Sequence, residues 1–181
     1  MLIAITGTPG TGKTSVSKIL EKKGYNVLDL NDISKKQGFV IGKDEERNSL
    51  IIDTDKLNKY FDNYITEKIV FIDSHLSHLI SNVDKVILLR CHPNKLKKNL
   101  DKKNWPEKKI KENIDSEILD IILSETAEIH NIDTIFEIDT SNLTVDEVAK
   151  IILKLIENDF KNIKNYKIGK IDWSEEILKD S

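Results

Sequence analysis

Gly7-Thr8-Pro9-Gly10-Thr11-Gly12-Lys13-Thr14 decides the reading of this chain. The octapeptide satisfies G-x-x-x-x-G-K-[ST], a loop whose backbone N–H groups wrap phosphates at the positive N-terminus of the helix that follows. A random chain of this length matches about one per cent of the time at ordinary residue frequencies. Context lowers that further. The apolar run Met1–Thr6 before the loop reads as a strand buried on both faces. After it, Val16, Ile19 and Leu20 recur at helical spacing and Gly24 closes the helix. Gly10, Gly12, Lys13, Thr14 and Ser15 are therefore the expected ATP-binding residues. In such loops the lysine reaches the β- and γ-phosphates and the Thr14 hydroxyl coordinates magnesium.

Outward from the loop, Asn26–Leu28 fits a second strand, and 29–54, polar with Gly38 and Gly42, reads as loops and short helices. Leu57, Tyr60, Phe61, Tyr64 and Ile65 make one apolar helical face. Lys68–Asp73 and Lys85–Leu89 are the third and fourth strands, and Thr134–Ile138 the fifth. Residues 92–129 are helical in pattern, with Leu96 and Leu100 on one piece. A longer stripe runs through Ile110, Ile114, Ile118, Ile121 and Ile122, and Trp105-Pro106 separates the two. Thr144-Val145-Asp146-Glu147 is a capping box opening a last helix. Short apolar runs alternating with amphipathic helices predict an α/β fold, a parallel sheet with right-handed crossovers and helices on both faces.

Ile69-Val70-Phe71-Ile72-Asp73 is an apolar run ending in a carboxylate, and the C-terminal ends of parallel strands face the ligand crevice of open α/β sheets. Asp73 is therefore the candidate for holding magnesium or orienting the attacking oxygen. His75, two residues on, is a candidate for positioning water or relaying a proton. His78, His92 and His130 are read as structural or incidental. A GTPase needs Asn-Lys-x-Asp, and the closest string, Asn58-Lys59-Tyr60-Phe61, puts phenylalanine where the aspartate belongs.

Charge is lopsided across these 181 residues. Of 28 basic residues 26 are lysine, leaving only Arg47 and Arg90, and 31 acidic residues bring the net charge to −3. This balance argues against a general nucleic-acid binder. One cysteine, Cys91, excludes an intrachain disulfide and a thiolate zinc cluster. No apolar stretch approaches the ~20 residues of a membrane span, so the expectation is a soluble cytoplasmic protein without a membrane partner.

The form Gly-Thr-Pro-Gly-x-Gly-Lys-Thr, followed by Asp73-x-His75 after a mid-chain strand, resembles the adenylate kinase isoenzyme 6 family. That family includes the coilin-interacting nuclear ATPase of eukaryotes and archaeal adenylate-kinase-like proteins. Leu88-Leu89-Arg90, Leu96, Leu100, Trp105, Lys108-Lys109, Glu112-Asn113 and Glu117 extend the match over about residues 1–158, and Ile171-Asp172-Trp173-Ser174 is similar to the tail of archaeal members. The resemblance implies a nucleoside-monophosphate-kinase fold with a five-stranded parallel sheet. It places a monophosphate-binding segment at 29–52, a short lid without zinc at 102–112, and a C-terminal tail at 159–181. It also implies adenylate kinase and ATPase activities with ATP, Mg2+ and AMP or a similar monophosphate. A further implication is a role in small ribosomal subunit maturation through that subunit's ribosomal protein eleven. The alternative it leaves is an ATPase assembly factor that binds and releases this protein, with residual kinase activity.

Residues 95–111 hold eight lysines against Asp101 and Glu107, a segment of +6 on a remainder of −9. Most of these lysines are expected to be solvated, while the position after the fourth strand suits a lid that excludes water during transfer. Relatives carry arginines at the positions of Asn99 and Lys103. Lysine is a point charge that cannot make a planar two-pronged contact, so Lys103 is expected to neutralise developing charge from the lid while turnover stays slow. Arg90 is read either as pointing into the phosphate crevice or as an ion pair tying the fourth strand to the lid helix. Arg47 is read as a surface ion pair. Phe39 is either a base contact or a loop anchor, and Tyr166 and Trp173 suggest a docking strip in the tail.

Overall fold

The structure of the protein, a computed structural model, describes residues 1–46, 49–161 and 164–179. Arg47 lies outside the described residues. Five parallel strands form one sheet in the order β2-β5-β1-β6-β7: β1 Leu2–Thr6, β2 Asn26–Asp29, β5 Val70–Asp73, β6 Lys85–Arg90 and β7 Ile135–Asp139. The central strand β1 is buried along its whole length, as its uninterrupted apolar run requires. Its side chains alternate: Ile3 and Ile5 join α1 (Lys13–Lys22) and α7 (Val145–Glu157) in one core, and Leu2 joins α3 (Thr54–Asp62) in another. Helices thus cover both faces. The expected capping box is present, with the Thr144 side chain on the Glu147 amide and the Glu147 carboxylate on the Thr144 amide.

Three expectations need correction. Segment 29–54 is more than loops and short helices. After α2 (Leu30–Lys36) it forms an antiparallel hairpin, β3 (Val40–Asp44) with β4 (Ser49–Ile52), whose register shifts between Val40 and Gly42. The apolar helical face through Ile65 ends early: α3 stops at Asp62, and Ile65 is 94 % exposed. The isoleucine stripe from Ile110 is two helices, α5 (Glu107–Ile118) and α6 (Ile121–Ile129), parted by Asp120 in the left-handed region at φ 54°. Ahead of them, α4 (Pro93–Asp101) starts directly after β6. Phe39 is a loop anchor, buried with Leu57 and Phe61 and edge-on to Tyr60.

The tail folds back on its own body. Phe160 and Tyr166 pack with the core beneath α7, Lys167 bridges Phe136 on the edge strand β7, and the Gly169 amide donates to Glu137 at 2.7 Å. Trp173 stacks edge-on to His92 with ring centres 4.9 Å apart. The tail therefore covers an otherwise open sheet edge. Among the described residues no helix is long and apolar enough to cross a membrane.

Candidate functional site

The phosphate loop leaves β1 and enters α1 with Gly7, Gly10 and Gly12 all at positive φ. Gly7 admits no side chain: a Cβ there would lie 2.3 Å from the Leu89 carbonyl oxygen. The loop is closed by its own bonds. Lys13 Nζ donates to the carbonyls of Gly7 and Thr8 at 2.6 and 3.0 Å, and the Thr11 hydroxyl donates to Thr8 O at 3.0 Å. Burial, partly offset by Asp73, lowers the Lys13 ammonium from its usual range to about 8, so the group is charged at neutral pH but poorly solvated. A polyanion is the ligand such a cation favours.

Above the sheet's C-terminal edge opens a cleft of about 900 Å³. The structure brings every residue singled out for the site to this one cleft: Gly10, Gly12, Lys13, Thr14, Ser15, Asp73, His75 and Lys103 all line it. Asp73 ends β5 beside Asp29, its register partner on β2, whose carboxylate caps α2 through the amides of Asn31 and Asp32. Burial raises the Asp73 carboxyl above its ordinary value, opposed by Lys13 and by the hydroxyls of Ser17 and Thr14. The Asp73 carboxylate and the Thr14 hydroxyl, both lining the cleft, are hard oxygen donors of the kind that suits Mg2+, which keeps several waters and binds through one or two carboxylates plus phosphates.

His75 is half-buried, and desolvation followed by the Lys13 charge lowers its imidazole to about 4. It is neutral at physiological pH and has a lone pair to offer. His78 is fully enclosed, with Nδ1 3.0 Å from the Thr6 hydroxyl and Nε2 3.0 Å from Glu125. His130 is buried below it and holds the His78 carbonyl at 2.7 Å. Both have structural tasks. The expectation that His92 and His130 are incidental needs amending: His92 caps α4 and seats Trp173, and His130 anchors the turn that carries His78.

Across the cleft, α4 and α5 present the lysine-rich segment. The Nζ atoms of Lys103 and Lys109 stand over the Trp105 ring at 4.9 and 4.1 Å from its centre, so this aromatic gathers two cations at the cleft wall. Asn99 makes a contact that its lack of charge conceals in the sequence: its side-chain amide donates to Gly10 O at 3.0 Å. Arg90 is resolved in favour of the ion pair. Only 2 % exposed, it donates to Glu117 at 2.8 Å, to Glu137 at 2.7 Å and to Asp120, and despite burial these carboxylates, Glu117 foremost, raise its pKa further. Glu117 itself went unread in the sequence as a site residue. Its signal was there: seven residues after Ile110 and one before Ile118, a carboxylate occupies the apolar stripe of α5, where a buried charge needs a partner.

Comparison with known proteins agrees with this geometry. A family profile described as an AAA domain (AAA_18) matches residues 3–120. Among solved structures, shikimate kinase from Acinetobacter baumannii superposes with a TM-score of 0.56 at 18 % identity, covering 89 % of this chain and 95 % of that one. Thymidylate kinase from Candida albicans gives 0.55 at 14 % identity, covering 87 % and 91 %. These establish the fold as that of the P-loop nucleotide kinases. A protein of Methanocaldococcus jannaschii described as "Putative adenylate kinase" is 40 % identical over 180 residues, 98 % of this chain and 96 % of its own. One of Archaeoglobus fulgidus with the same description is 41 % identical over 177 residues, covering 98 % and 94 %. By this near full-length likeness the chain belongs to the archaeal adenylate-kinase-like family.

Proposed function

We propose that the protein is an ATP-dependent nucleoside monophosphate kinase, acting in the cytoplasm, that transfers the γ-phosphoryl group of ATP to AMP or a related monophosphate. The observation that carries this reading is the single cleft in which phosphate loop, strand-end carboxylate and lysine-bearing wall meet. The descriptions of the archaeal relatives support it. A phosphate oxygen of the acceptor forms a bond to the γ-phosphorus as the bond from that phosphorus to the β–γ bridging oxygen breaks, and ADP leaves with the negative charge. No covalent intermediate is needed, so catalysis is positioning and charge stabilisation.

In this reading the loop amides of Gly10, Gly12, Lys13, Thr14 and Ser15 hold the triphosphate, and Lys13 turns from the Gly7 and Thr8 carbonyls to the β- and γ-phosphates. Thr14 and Asp73 would hold magnesium, which supplies neutralisation of the charge on the transferred group. Lys103 adds a point charge from the lid at 102–112, and the segment 29–52 receives the monophosphate. The Trp105 ring keeps Lys103 and Lys109 near the cleft without an arginine's fixed fork. The expected turnover is accordingly slow, below roughly 100 s⁻¹, the upper end of typical kinase values.

A second reading rests on His75. A neutral imidazole lining the cleft, two residues from Asp73, can accept a hydrogen bond from water and position it for ATP hydrolysis. An ATPase cycle of this kind is what a maturation factor acting on ribosomal protein eleven of the small subunit would use. Measuring ADP and free phosphate formed from ATP, with and without AMP, separates the two. AMP-dependent ADP without phosphate release supports the kinase, and AMP-independent phosphate release that rises with the ribosomal protein supports the assembly factor. Lys13→Ala should abolish both. His75→Ala should reduce hydrolysis more than transfer, and equal losses would rule out the water-positioning role.

A further inference from the structure

We propose that Glu117 is a positioning residue for the phosphate loop, tying it to helix α5 through the hydroxyl of Thr8. The inference rests on the reading of the loop as the ATP site. Thr8 and Glu117 are 1 % and 2 % exposed, and the Thr8 hydroxyl donates to Glu117 Oε2 at 2.5 Å, in the range of charge-assisted O–H···O⁻ bonds. The other carboxylate oxygen accepts from Arg90 Nε at 2.8 Å and from the Cys91 amide at 3.0 Å. With both oxygens engaged the carboxylate cannot swing away from the loop. Arg90 is fixed in turn by Glu137, by the Glu117 carbonyl at 3.1 Å and by Asp120.

The far side of Thr8 faces the chemistry. Its carbonyl accepts both Lys13 Nζ and the Thr11 hydroxyl at 3.0 Å. Thr8 therefore meets α5 with its side chain and holds Lys13 with its backbone. One turn before Glu117, the same helix presents Asn113 to the cleft, and Lys109 lies one turn earlier still. The Thr8–Glu117 bond thus fixes the wall that brings cations over the phosphates in register with the loop that grips them. A purely structural ion cluster would instead stabilise the fold without setting nucleotide affinity.

The test uses the full chain carrying Thr8→Val, which keeps the shape and removes the hydroxyl, and Thr8→Ser, which keeps the hydroxyl. The ATP Kd is measured by calorimetry, kcat and the AMP KM by ADP formation, and folding by thermal melting. Thr8→Val is expected to weaken ATP binding about tenfold and to lower kcat at least as much, with the AMP KM unchanged, while Thr8→Ser restores both to within about twofold. Should Thr8→Val crowd the site, Thr8→Ala against Thr8→Ser makes the same comparison. Wild-type ATP affinity and kcat in Thr8→Val would overturn the proposal, as would a lowered melting temperature with unchanged ATP affinity. If the unmodified chain binds ATP but does not phosphorylate AMP, the kinase reading fails, and the ATP Kd values of the variants still decide the role of Glu117.

Discussion

At the scale of single residues, burial decides which groups of the site carry charge. His75 shows the direction of the effect. Its imidazole sits at about 4 in the fold against 6.5 when exposed, so the unfolded chain takes up the proton first as pH falls. Stability from this group is fully present above about pH 6.5 and lost progressively toward pH 4, by at most about 3 kcal/mol. His78, also lowered by burial, acts in the same sense. His75→Gln should therefore flatten the acid limb of a stability-against-pH curve measured by urea denaturation, while leaving the limb that His78 contributes. An unaltered limb would mean that His75 protonates freely in the fold. The loop residues were legible in the sequence because the motif is contiguous and its geometry is dictated by glycine. The partner of Glu117 was not, because Thr8 lies 109 residues away and no local pattern joins the two.

At the scale of elements, α4 acts as a backing for the phosphate loop. A Cβ on Gly10 would stand 2.9 Å from Leu96 Cδ1 and 3.0 Å from Leu100 Cδ2, and the residue's φ of +99° disfavours any side chain. Gly10→Ala should thus push the loop off α4, break the Asn99 bond and reduce ATP affinity by more than about tenfold in a chain that still melts cooperatively, as calorimetry would register. Wild-type affinity would show that α4 yields instead. The edge strand β2, Asn-Val-Leu-Asp, is only half-buried, whereas β1, β5, β6 and β7 were readable as short apolar runs because both faces of the parallel sheet are covered. The β3–β4 hairpin was not, since Gly42 and the charges of Lys43 and Asp44 interrupt its alternation and Ile41 is 61 % exposed. The α5–α6 break was hidden for the opposite reason: the isoleucine stripe continues across it, and the turn depends on Asp120 adopting positive φ beside Arg90.

For the whole molecule, apolar packing falls into separate bodies. Among the described residues, fourteen buried ones make the core beneath α1 and α7, and eight make the core against α3. A third cluster consists only of Cys91, Leu96, Leu100 and Ile110, with Trp105 and Ile114 against it. It lies between α4 and α5, and the polar contacts that join it to the sheet and the phosphate loop include the Arg90–Glu117 pair, the Thr8 hydroxyl and the Asn99 amide. So small a cluster cannot hold its helices as firmly as the sheet is held. In hydrogen–deuterium exchange followed by mass spectrometry, the amides of α4 and α5 should open as one unit and take up deuterium well before those of β1, β5 and β6. Exchange of α4 and α5 together with β1 would show a single cooperative body. The wall that carries Lys103 and Lys109 would then breathe while the sheet stays protected, so the time the cleft stays shut would be set by the local unfolding equilibrium of six side chains.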